Sequence, residues 1–290
     1  MVIKMKIIKR IAGMKIVCAE AKKVNKIIGF VPTMGALHEG HLKLVDTAKT
    51  QADFVVVSIF VNPLQFGVDE DFERYPRNFE QDTRLLESSG VDVSFIPDAE
   101  EMYPPGYDTY IEVPALYDVL CGKSRPDHFK GVCTIVCKLF NIVTPDIAVF
   151  GEKDAQQAII IEKMSEELNL GVKILTVPTV READGLALSS RNAYLSPQER
   201  GDAVVLYQSL LMAKELIEKG ERNAGKIKLQ IHTLISGKAT AKTDYIEIVR
   251  KGNLTPLDTL EGEVLIALAV WFGRARLIDN MTIFVDKELV

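Results

Sequence analysis

The sequence lacks several features that define common protein classes. It has no run of about 20 apolar residues, the length that a membrane-spanning helix requires, and its longest apolar stretches, at 54–60 and 264–272, are strand-length. Basic residues are in the minority, with 35 Lys and Arg against 40 Asp and Glu. The resulting charge of −5 argues against a general nucleic-acid-binding protein. We therefore expect neither a membrane nor a nucleic-acid partner.

Cysteine is also scarce. The four cysteines, Cys18, Cys121, Cys133 and Cys137, form no CxxC pair and no zinc-ribbon spacing. In a chain of 290 residues this pattern predicts reduced thiols and a cytoplasmic protein. Residues 1–10 have no apolar signal-peptide core followed by a cleavage site, which supports the same expectation.

What the sequence does contain is an alternation of strand-like and helix-like apolar patterns. It predicts strands at residues 26–32, 54–61, 91–97, 109–113, 147–150 and 173–180. It predicts helices at residues 41–51, 78–89, 126–143 and 155–168. Such alternation indicates an α/β fold, a Rossmann-like doubly wound parallel sheet with helices on both faces.

The pattern changes after residue 190. Two consecutive helices are predicted at 197–219 and 223–236, followed by strands at 245–249, 263–272 and 275–283, the last two paired. We therefore expect a Rossmann-like domain of residues 1–180 and a smaller α+β domain of residues 181–290.

Two of the four histidines, His38 and His41, lie in the first predicted strand-to-helix connection. Ligands of open α/β sheets bind at the carboxyl ends of strands, and a helix start offers unpaired backbone N–H groups. Two imidazoles there indicate a phosphate site. The pair could instead bind a metal, although no third ligand is evident, or simply cap the helix. The spacing matches neither GxxxxGK[ST] nor GxGxxG.

Four further polar segments follow predicted strands or open predicted helices, at residues 62–66, 125–131, 151–157 and 189–192. In the third, Lys153 could pair with a phosphate and Asp154 with ribose hydroxyls. Each segment alone could also be a cap or a solvated loop. Together they would form one rim rich in cations on an acidic protein, which predicts a nucleoside triphosphate or a similar polyanion as ligand.

These segments together resemble the pantothenate synthetase (pantoate–β-alanine ligase) family. The matching blocks include GFVPTMGALHEGHLKLV at 29–45, SIFVNPLQF at 58–66, FGEKDAQQ at 150–157, READGLALSSRNAYLS at 181–196 and ARLIDN at 275–280. They cover nearly the whole chain in the expected order. The HxGH pattern alone would indicate only the wider nucleotidyltransferase superfamily.

The resemblance implies a two-step reaction. The carboxylate of (R)-pantoate attacks the α-phosphorus of ATP to give pantoyl adenylate and pyrophosphate, and the β-alanine amine then releases AMP and pantothenate. It also implies Mg²⁺, a homodimer, and a C-terminal domain that closes over the ATP site. Two other functions stay open: an adenylyltransferase of the same superfamily, and a nucleotide-binding regulator without turnover.

The resemblance also assigns roles to individual residues. The implied catalytic residues are His38, His41, Lys153, Ser189, Ser190 and Arg191, with His41 as proton donor. The implied ATP contacts are Met34, Gly35, Ala36, Leu37, His38, Glu39, Gly40, His41, Gly151, Glu152, Lys153, Asp154, Val180, Leu188, Ser189, Ser190 and Arg191. The implied pantoate and β-alanine contacts are Gln65, Gln157 and Asn62, and Asp82 is the implied Mg²⁺ ligand. Leu188 stands where many relatives have methionine, a change of similar volume.

Overall fold

A computed structural model describes residues 5–68 and 70–286 of the chain. The chain divides into two compact units. The first contains the residues up to Tyr117 together with Arg125–Glu152 and Gln157–Pro178. The second contains Asp118–Ser124, Lys153–Gln156 and the residues from Thr179 onward. Two short segments that precede residue 179 therefore belong to the second unit.

The strands are β1 (Lys6–Ile8), β2 (Ile28–Thr33), β3 (Phe54–Ile59), β4 (Val93–Phe95), β5 (Ile147–Gly151), β6 (Lys173–Val177), β7 (Ala241–Arg250), β8 (Gly262–Phe272) and β9 (Ala275–Val285). The α-helices are α1 (Ile11–Lys23), α2 (Glu39–Gln51), α3 (Phe79–Ser88), α4 (Ala99–Met102), α5 (Cys121–Ser124), α6 (His128–Val143), α7 (Ala155–Glu167), α8 (Pro197–Ala203), α9 (Val205–Glu218) and α10 (Ala224–Ser236). Short 3₁₀ turns span Pro63–Gln65, Pro114–Leu116, Glu152–Asp154 and Ser190–Tyr194.

The first unit is built on a six-stranded parallel sheet with the order β1-β4-β3-β2-β5-β6. The chain winds outward from β2 in one direction and then returns to place β5 on its other side. The crevice beyond the carboxyl ends of β2 and β5 is thus the topological switch point, where ligands of open α/β sheets bind. The predicted Rossmann-like α/β fold is confirmed.

The central strands form because they are apolar on both faces. β3 reads FVVVSI and is buried from its second residue onward, as a parallel strand covered by helices on both sides requires. Helix α2 packs closely on β2 at Gly29, where an added Cβ atom would lie 2.8 Å from the Ala52 Cβ. Glycine at this position lets the C-terminal end of α2 approach the sheet closely.

The second unit carries an antiparallel sheet in the order β7-β8-β9. Its core joins that sheet to α9 and α10 through fully buried side chains such as Leu210, Ile231 and Ile266. The predicted pairing of the last two strands is confirmed. In neither described range, 5–68 or 70–286, does any helix have the length and apolar character to cross a membrane.

The structure differs from the predicted elements in several places, and the short elements β1, α4 and α5 were not predicted. Residues 109–113 form no strand, because the Ile111 amide donates to the Thr134 hydroxyl instead of to a neighbouring strand. The helix predicted at 197–219 is divided at Val204 into α8 and α9. Helix α1 was missed, although Met14, Cys18 and Ala21 form its buried stripe, because lysines surround them in the sequence.

Candidate functional site

The turn between β2 and α2 is held by hydrogen bonds at its first residue. The Thr33 hydroxyl donates to the Ser58 carbonyl at 2.7 Å and accepts the Gly35 N–H at 3.2 Å. Gly35 and Ala36 have φ of +85° and +50°, the left-handed region that most side chains disfavour. The chain itself therefore imposes a defined conformation on this turn.

Asp82, in the first turn of α3, binds the next two amides. Its carboxylate accepts the Ala36 N–H at 2.9 Å and the Leu37 N–H at 2.8 Å, and the residue is only 1% exposed. Burial raises the pKa of Asp82 above its ordinary value, and the two N–H donors oppose that rise. Both carboxylate oxygens thus accept hydrogen bonds from the turn. The assignment of Asp82 as a Mg²⁺ ligand stays a prediction.

His38 and His41 cap the start of α2 reciprocally. His38 Nδ1 accepts the Gly40 N–H at 3.1 Å, and His41 Nδ1 accepts the His38 N–H at 3.3 Å. The two ring centroids are 4.1 Å apart. A neutral imidazole nitrogen that accepts a hydrogen bond carries no proton, so these contacts place the proton of each neutral ring on Nε2. Each ring then has an N–H donor suited to an anionic oxygen.

The expectation of unpaired backbone N–H groups at this helix start was wrong for most of the turn. Side chains of the chain itself accept hydrogen bonds from the amides of Gly35, Ala36, Leu37, His38 and Gly40. Two of these amides bind Asp82, which lies on α3, more than 40 residues further along the chain. Sequence spacing does not reveal such a contact. Anion binding at the turn therefore falls to side-chain donors.

Asn62 and Gln65 follow β3 and lie in one hydrogen-bonded group. Asn62 is 1% exposed; its amide donates to Gln65 Oε1 at 3.2 Å and to the Gly131 carbonyl at 3.1 Å. Its own carbonyl oxygen accepts the Tyr103 hydroxyl at 2.8 Å. Gln65 Nε2 lies 3.0 Å from the Met34 sulfur. Gln65 thus contacts the turn between β2 and α2, and Asn62 orients its side chain. Direct substrate contact by Asn62 stays a prediction.

A second network fixes the backbone of Gln65. Arg125 makes two contacts of 2.6 Å with the Glu70 carboxylate and donates to the Gln65 carbonyl at 3.3 Å. His128 Nδ1 donates to the same carbonyl at 2.8 Å. Burial raises the pKa of Glu70, but the Arg125 guanidinium, His128 and a backbone hydrogen bond from Gly67 together lower it, so that the pKa lies below its ordinary value.

The segment at 125–131 therefore contributes fewer available cations than its sequence indicates. Arg125 is paired with Glu70, and Lys130 lies 2.8 Å from the Glu112 carboxylate and over the Tyr110 ring. Both positive charges are engaged by neighbouring side chains. The segment's role in the described structure is to hold the turn that carries Gln65.

The segment after β5 places its polar residues differently. The Glu152 carboxylate accepts the Thr176 hydroxyl at 3.2 Å, within the first unit. In the second unit the Lys153 carbonyl accepts the Asn280 amide at 2.8 Å, and the Lys153 ammonium lies 3.9 Å from the Asp154 carboxylate. This long, partly exposed contact constrains the ammonium only weakly. A fixed backbone thus supports a lysine side chain that can turn toward an anion.

The neighbouring glutamines have separate roles. Gln156 is buried and holds the 119–121 segment: its Nε2 donates to the Val119 carbonyl at 2.8 Å and its Oε1 accepts the Cys121 N–H at 2.9 Å. The half-buried Gln157 side chain makes no hydrogen bond with any described residue. Gln156 is therefore engaged by the 119–121 segment, and Gln157 is the one of the two that is available to a ligand.

In the second unit, residues 180–188 form a short antiparallel turn that leads to the Ser-Ser-Arg segment. The Leu188 N–H donates to the Val180 carbonyl at 3.0 Å, and Arg181 pairs with Ala187. Ser189 then caps the following 3₁₀ turn by accepting the Arg191 N–H at 3.2 Å. The strand predicted to reach residue 180 ends at Val177, and Val180 and Leu188 instead pair with each other.

An ion pair supports this turn from inside the second unit. Arg181 binds the fully buried Asp279 carboxylate with two hydrogen bonds of 2.7 and 2.9 Å. The same guanidinium donates to the Gly185 carbonyl at 3.0 Å and lies over the Tyr207 ring. Bidentate pairing of this kind fixes direction as well as distance. The Ser189–Arg191 segment therefore begins from a rigid base.

Comparison with known proteins shows the family to which the chain belongs. The sequence profile described as Pantoate-beta-alanine ligase matches residues 6–282. The chain is 54% identical to a pantothenate synthetase of Acetivibrio thermocellus, with 96% of this chain and 99% of that protein covered. It is 55% identical to a pantothenate synthetase of Carboxydothermus hydrogenoformans, with 97% and 100% covered. The chain belongs to the pantoate–β-alanine ligase family.

Solved structures of the ligase family agree. A pantothenate synthetase crystal structure from Thermus thermophilus is 43% identical, with a TM-score of 0.92 and coverage of 97% of this chain and 100% of that one. A pantoate–β-alanine ligase from Francisella tularensis, crystallised with β,γ-ATP and β-alanine, is 36% identical, with a TM-score of 0.78 and coverage of 96% and 97%. The ligase fold therefore extends over the whole described chain.

Sequence reasoning missed three contacts that support candidate segments. Two lie in the first unit, the contacts of Asp82 with residues 36–37 and the Glu70–Arg125 pair. The third, the Arg181–Asp279 pair, lies in the second unit. Each joins residues far apart in the chain, so no local pattern reveals it. A signal was present in one case, because Arg181 and Asp279 both lie in family blocks, at 181–196 and 275–280. Charged residues of opposite sign inside apolar surroundings are candidates for such pairs.

Proposed function

We propose that this enzyme joins (R)-pantoate to β-alanine at the expense of ATP, through a pantoyl-adenylate intermediate. The observation that carries the proposal is the capped histidine pair at the switch point of a chain that matches the ligase family from end to end. The Francisella relative holds an ATP analogue and β-alanine, which supports the same substrates here.

In the first step a pantoate carboxylate oxygen bonds to the α-phosphorus, and the bond from that phosphorus to the pyrophosphate oxygen breaks. Two anions meet, so the site must offset negative charge as it moves toward the leaving pyrophosphate. We assign this to the Nε2–H donors of His38 and His41, with His41 as proton donor, and to the Lys153 ammonium. Ser189, Ser190 and Arg191 supply further donors to the phosphates.

In the second step the β-alanine amine attacks the acyl carbon. The amide bond forms, the acyl–oxygen bond breaks, and AMP leaves with the carboxylate oxygen that attacked phosphorus. The nitrogen keeps one proton in the amide and releases the rest to solvent. Gln65 and Gln157 orient pantoate in this proposal, with Asn62 holding Gln65. The remaining nucleotide contacts are assigned to the residues Met34, Gly35, Ala36, Leu37, Glu39, Gly40, Gly151, Glu152, Asp154, Val180 and Leu188.

Mg²⁺ would reach the site on the ATP phosphates. Among the described His, Cys, Asp and Glu residues, no group of three is placed to hold a metal ion. Mg²⁺ usually keeps several waters and binds through substrate phosphates with one or two carboxylates, so the chain needs no cage of its own. When bound, the ion would offset phosphate charge.

The oligomeric state rests on the family resemblance, and the compartment rests on the cysteine pattern of the sequence. We propose a homodimer located in the cytoplasm. Sedimentation equilibrium should give twice the chain mass of 32.2 kDa. A mass of 32.2 kDa at micromolar protein would contradict the dimer and leave the chemistry unaffected.

The reaction is tested by measuring AMP release from ATP, Mg²⁺ and pantoate with and without β-alanine, together with pyrophosphate–ATP exchange. We expect exchange with pantoate alone and AMP release that depends on the amine. A nucleotidyl product that accumulates in solution and yields no AMP when β-alanine is added would indicate an adenylyltransferase. ATP binding with neither exchange nor AMP would indicate a nucleotide-binding regulator.

A further inference from the structure

The contact between Asp82 and the first turn has a consequence for nucleotide binding. We propose that Asp82 is a positioning residue for ATP, whose carboxylate holds residues 35–37 in the shape that directs His38 and His41 toward the phosphates. This role differs from metal ligation. It rests on the proposed function only in naming ATP as the ligand, since the hydrogen bonds themselves are independent of the reaction.

The geometry uses both oxygens of one carboxylate. Oδ2 accepts the Ala36 N–H at 2.9 Å and Oδ1 accepts the Leu37 N–H at 2.8 Å. The two amides bond to different oxygens of the side chain. Aspartate supplies an acceptor at both positions, whereas asparagine has a donor at one of them. His38 follows Leu37 directly, so the position of the first histidine depends on these two bonds.

The turn is costly without this partner. Ala36 has φ of +50°, a conformation that a residue with a Cβ seldom adopts unless its surroundings impose it. A Cβ on Gly35 would lie 3.0 Å from Asp82 Oδ2 and 3.0 Å from the Ile59 Cγ2. The turn thus fits tightly between the carboxylate and the end of β3, and loss of the carboxylate would let it relax.

Asp82 is itself mounted on a fixed support. Asn78 caps α3 by accepting the Gln81 N–H at 3.2 Å, and the Asp82 N–H donates to the Asn78 carbonyl at 2.9 Å. Leu86, one turn further along α3, is fully buried in the core of the first unit. A carboxylate in the first helical turn also interacts favourably with the positive end of the helix dipole. Helix α3 therefore holds the Asp82 carboxylate in a fixed position beside the turn.

A metal-ligand role and a positioning role predict different losses. A ligand to Mg²⁺ affects nucleotide binding only when the ion is present. A residue that shapes the turn affects ATP binding with or without the ion, because it acts through His38 and His41. Asp82→Asn keeps the size of the side chain and one acceptor oxygen. Its NH₂ group, a donor, would face one of the two backbone N–H groups.

The first measurement is amide hydrogen exchange by NMR on the intact chain. The amides of Ala36 and Leu37 should be protected in the unmodified protein, and Asp82→Asn should accelerate their exchange at least about tenfold, since exchange requires the hydrogen bond to open. The Gly35 amide, which donates to Thr33, should change less. Unprotected Ala36 and Leu37 amides in the unmodified protein would overturn the proposal without any variant.

The second measurement is ATP binding by calorimetry, once with Mg²⁺ and once in EDTA. Asp82→Asn should weaken both affinities by a similar factor, roughly tenfold or more, because bonds to a charged acceptor are among the stronger hydrogen bonds. Weakening only with Mg²⁺, or in neither condition, would overturn the positioning role. If Asp82→Asn does not fold, Asn78→Ala, which removes the N-terminal cap of the helix that carries Asp82, should weaken both affinities by a similar factor.

Asp92→Asn is the matched control. Asp92 also binds a backbone amide in the first unit, accepting the Val55 N–H at 2.8 Å, but it lies away from the turn. It should leave ATP affinity and the exchange of Ala36 and Leu37 unchanged, and an equal loss of ATP affinity would reduce Asp82 to a general structural residue. A protein that binds ATP as described but forms no pantothenate would contradict the proposed function and not this inference.

Discussion

At the scale of single residues, several polar side chains of the candidate site are buried and serve other residues. Asn62 orients Gln65, Gln156 holds the 119–121 segment, and Asp82 holds the first turn. The sequence identifies such residues as polar and well placed, but burial and partner are tertiary properties. Composition and spacing could therefore indicate which segments form the site and could not separate ligand contacts from their supports.

The adjacent glutamines test that separation directly. Gln157→Ala should raise the pantoate KM with little change in the free energy of unfolding, because its amide has no described partner to lose. Gln156→Ala should lower the free energy of unfolding by about 1–3 kcal/mol, since it leaves a buried amide and carbonyl unpaired. Steady-state kinetics and urea unfolding of both variants give the comparison, and an unchanged pantoate KM in Gln157→Ala would refute its assignment.

Lys153 is expected to act mainly while pyrophosphate departs. Lys153→Ala should lower kcat about 10²–10³-fold, as loss of one transition-state donor typically does, and change ATP affinity much less. Lys163→Ala is the control, since Lys163 pairs with Glu167 on the exposed face of α7. A variant that binds ATP more weakly but keeps its kcat would show that Lys153 serves ground-state binding only.

Glu70 predicts a pH dependence of stability. Its folded pKa lies below the ordinary value, so its pair with Arg125 stabilises the fold above the unfolded pKa of about 4.3 and loses that contribution as the pH falls through the folded pKa. Glu70→Gln should cost about 1–3 kcal/mol near neutral pH. The difference from the unmodified protein should shrink as the pH falls below about 4.3.

Urea unfolding at a series of pH values measures this difference. Glu73→Gln removes an exposed carboxylate from the same loop and serves as the control. A Glu70→Gln deficit that is equal at pH 7 and at pH 3 would mean that shape, and not the ion pair, accounts for the contribution of Glu70.

At the scale of elements, the sequence predicted the alternating strands and helices well where apolar residues are continuous. The strands β3 and β5 can be recognised from their own sequences. Both faces of each strand are buried, so nearly every position is apolar. Residues 109–113, TYIEV, also contain residues that favour strands, but the Ile111 amide donates to the Thr134 hydroxyl on α6 and no strand pairing forms there. Pairing is a tertiary event, and local pattern could not exclude it.

Helix α6 and the turn before Gln65 depend on a close approach at Gly131. A Cβ there would lie 2.6 Å from the Gln65 nitrogen and closer still to the Leu64 carbonyl. Gly131→Ala should therefore lower the free energy of unfolding by about 1–3 kcal/mol and raise the pantoate KM by moving Gln65. Gly201→Ala, in α8 with open space around it, should instead stabilise by about 0.4–1 kcal/mol.

Urea midpoints and pantoate kinetics of the two glycine variants test the packing. Equal stability of both variants would show that α6 can shift away from the turn without cost. A destabilised Gly131→Ala with an unchanged pantoate KM would separate the packing of α6 from the placement of Gln65.

At the scale of the whole molecule, the net charge of −5 predicted little about the ligand, because anion binding depends on a few local donors. The family match over residues 6–282 shows what pattern reasoning alone left open, a ligase instead of a general nucleotide-binding protein. The division into two units interleaves the chain at Asp118–Ser124 and Lys153–Gln156, which no composition shift indicated. Contiguous boundaries at residues 180 and 181 remain a prediction.

The most direct test of the chemistry follows one oxygen atom. Pantoate labelled with ¹⁸O in its carboxylate should transfer one labelled oxygen to AMP, because the carboxylate oxygen that attacks the α-phosphorus stays with phosphorus when the amide forms. Mass spectrometry of AMP after a single incubation with ATP, Mg²⁺ and β-alanine measures the transfer. Labelled AMP is the predicted result; labelled inorganic phosphate with ADP, or pantothenate formed beside unlabelled AMP, would contradict the adenylate route.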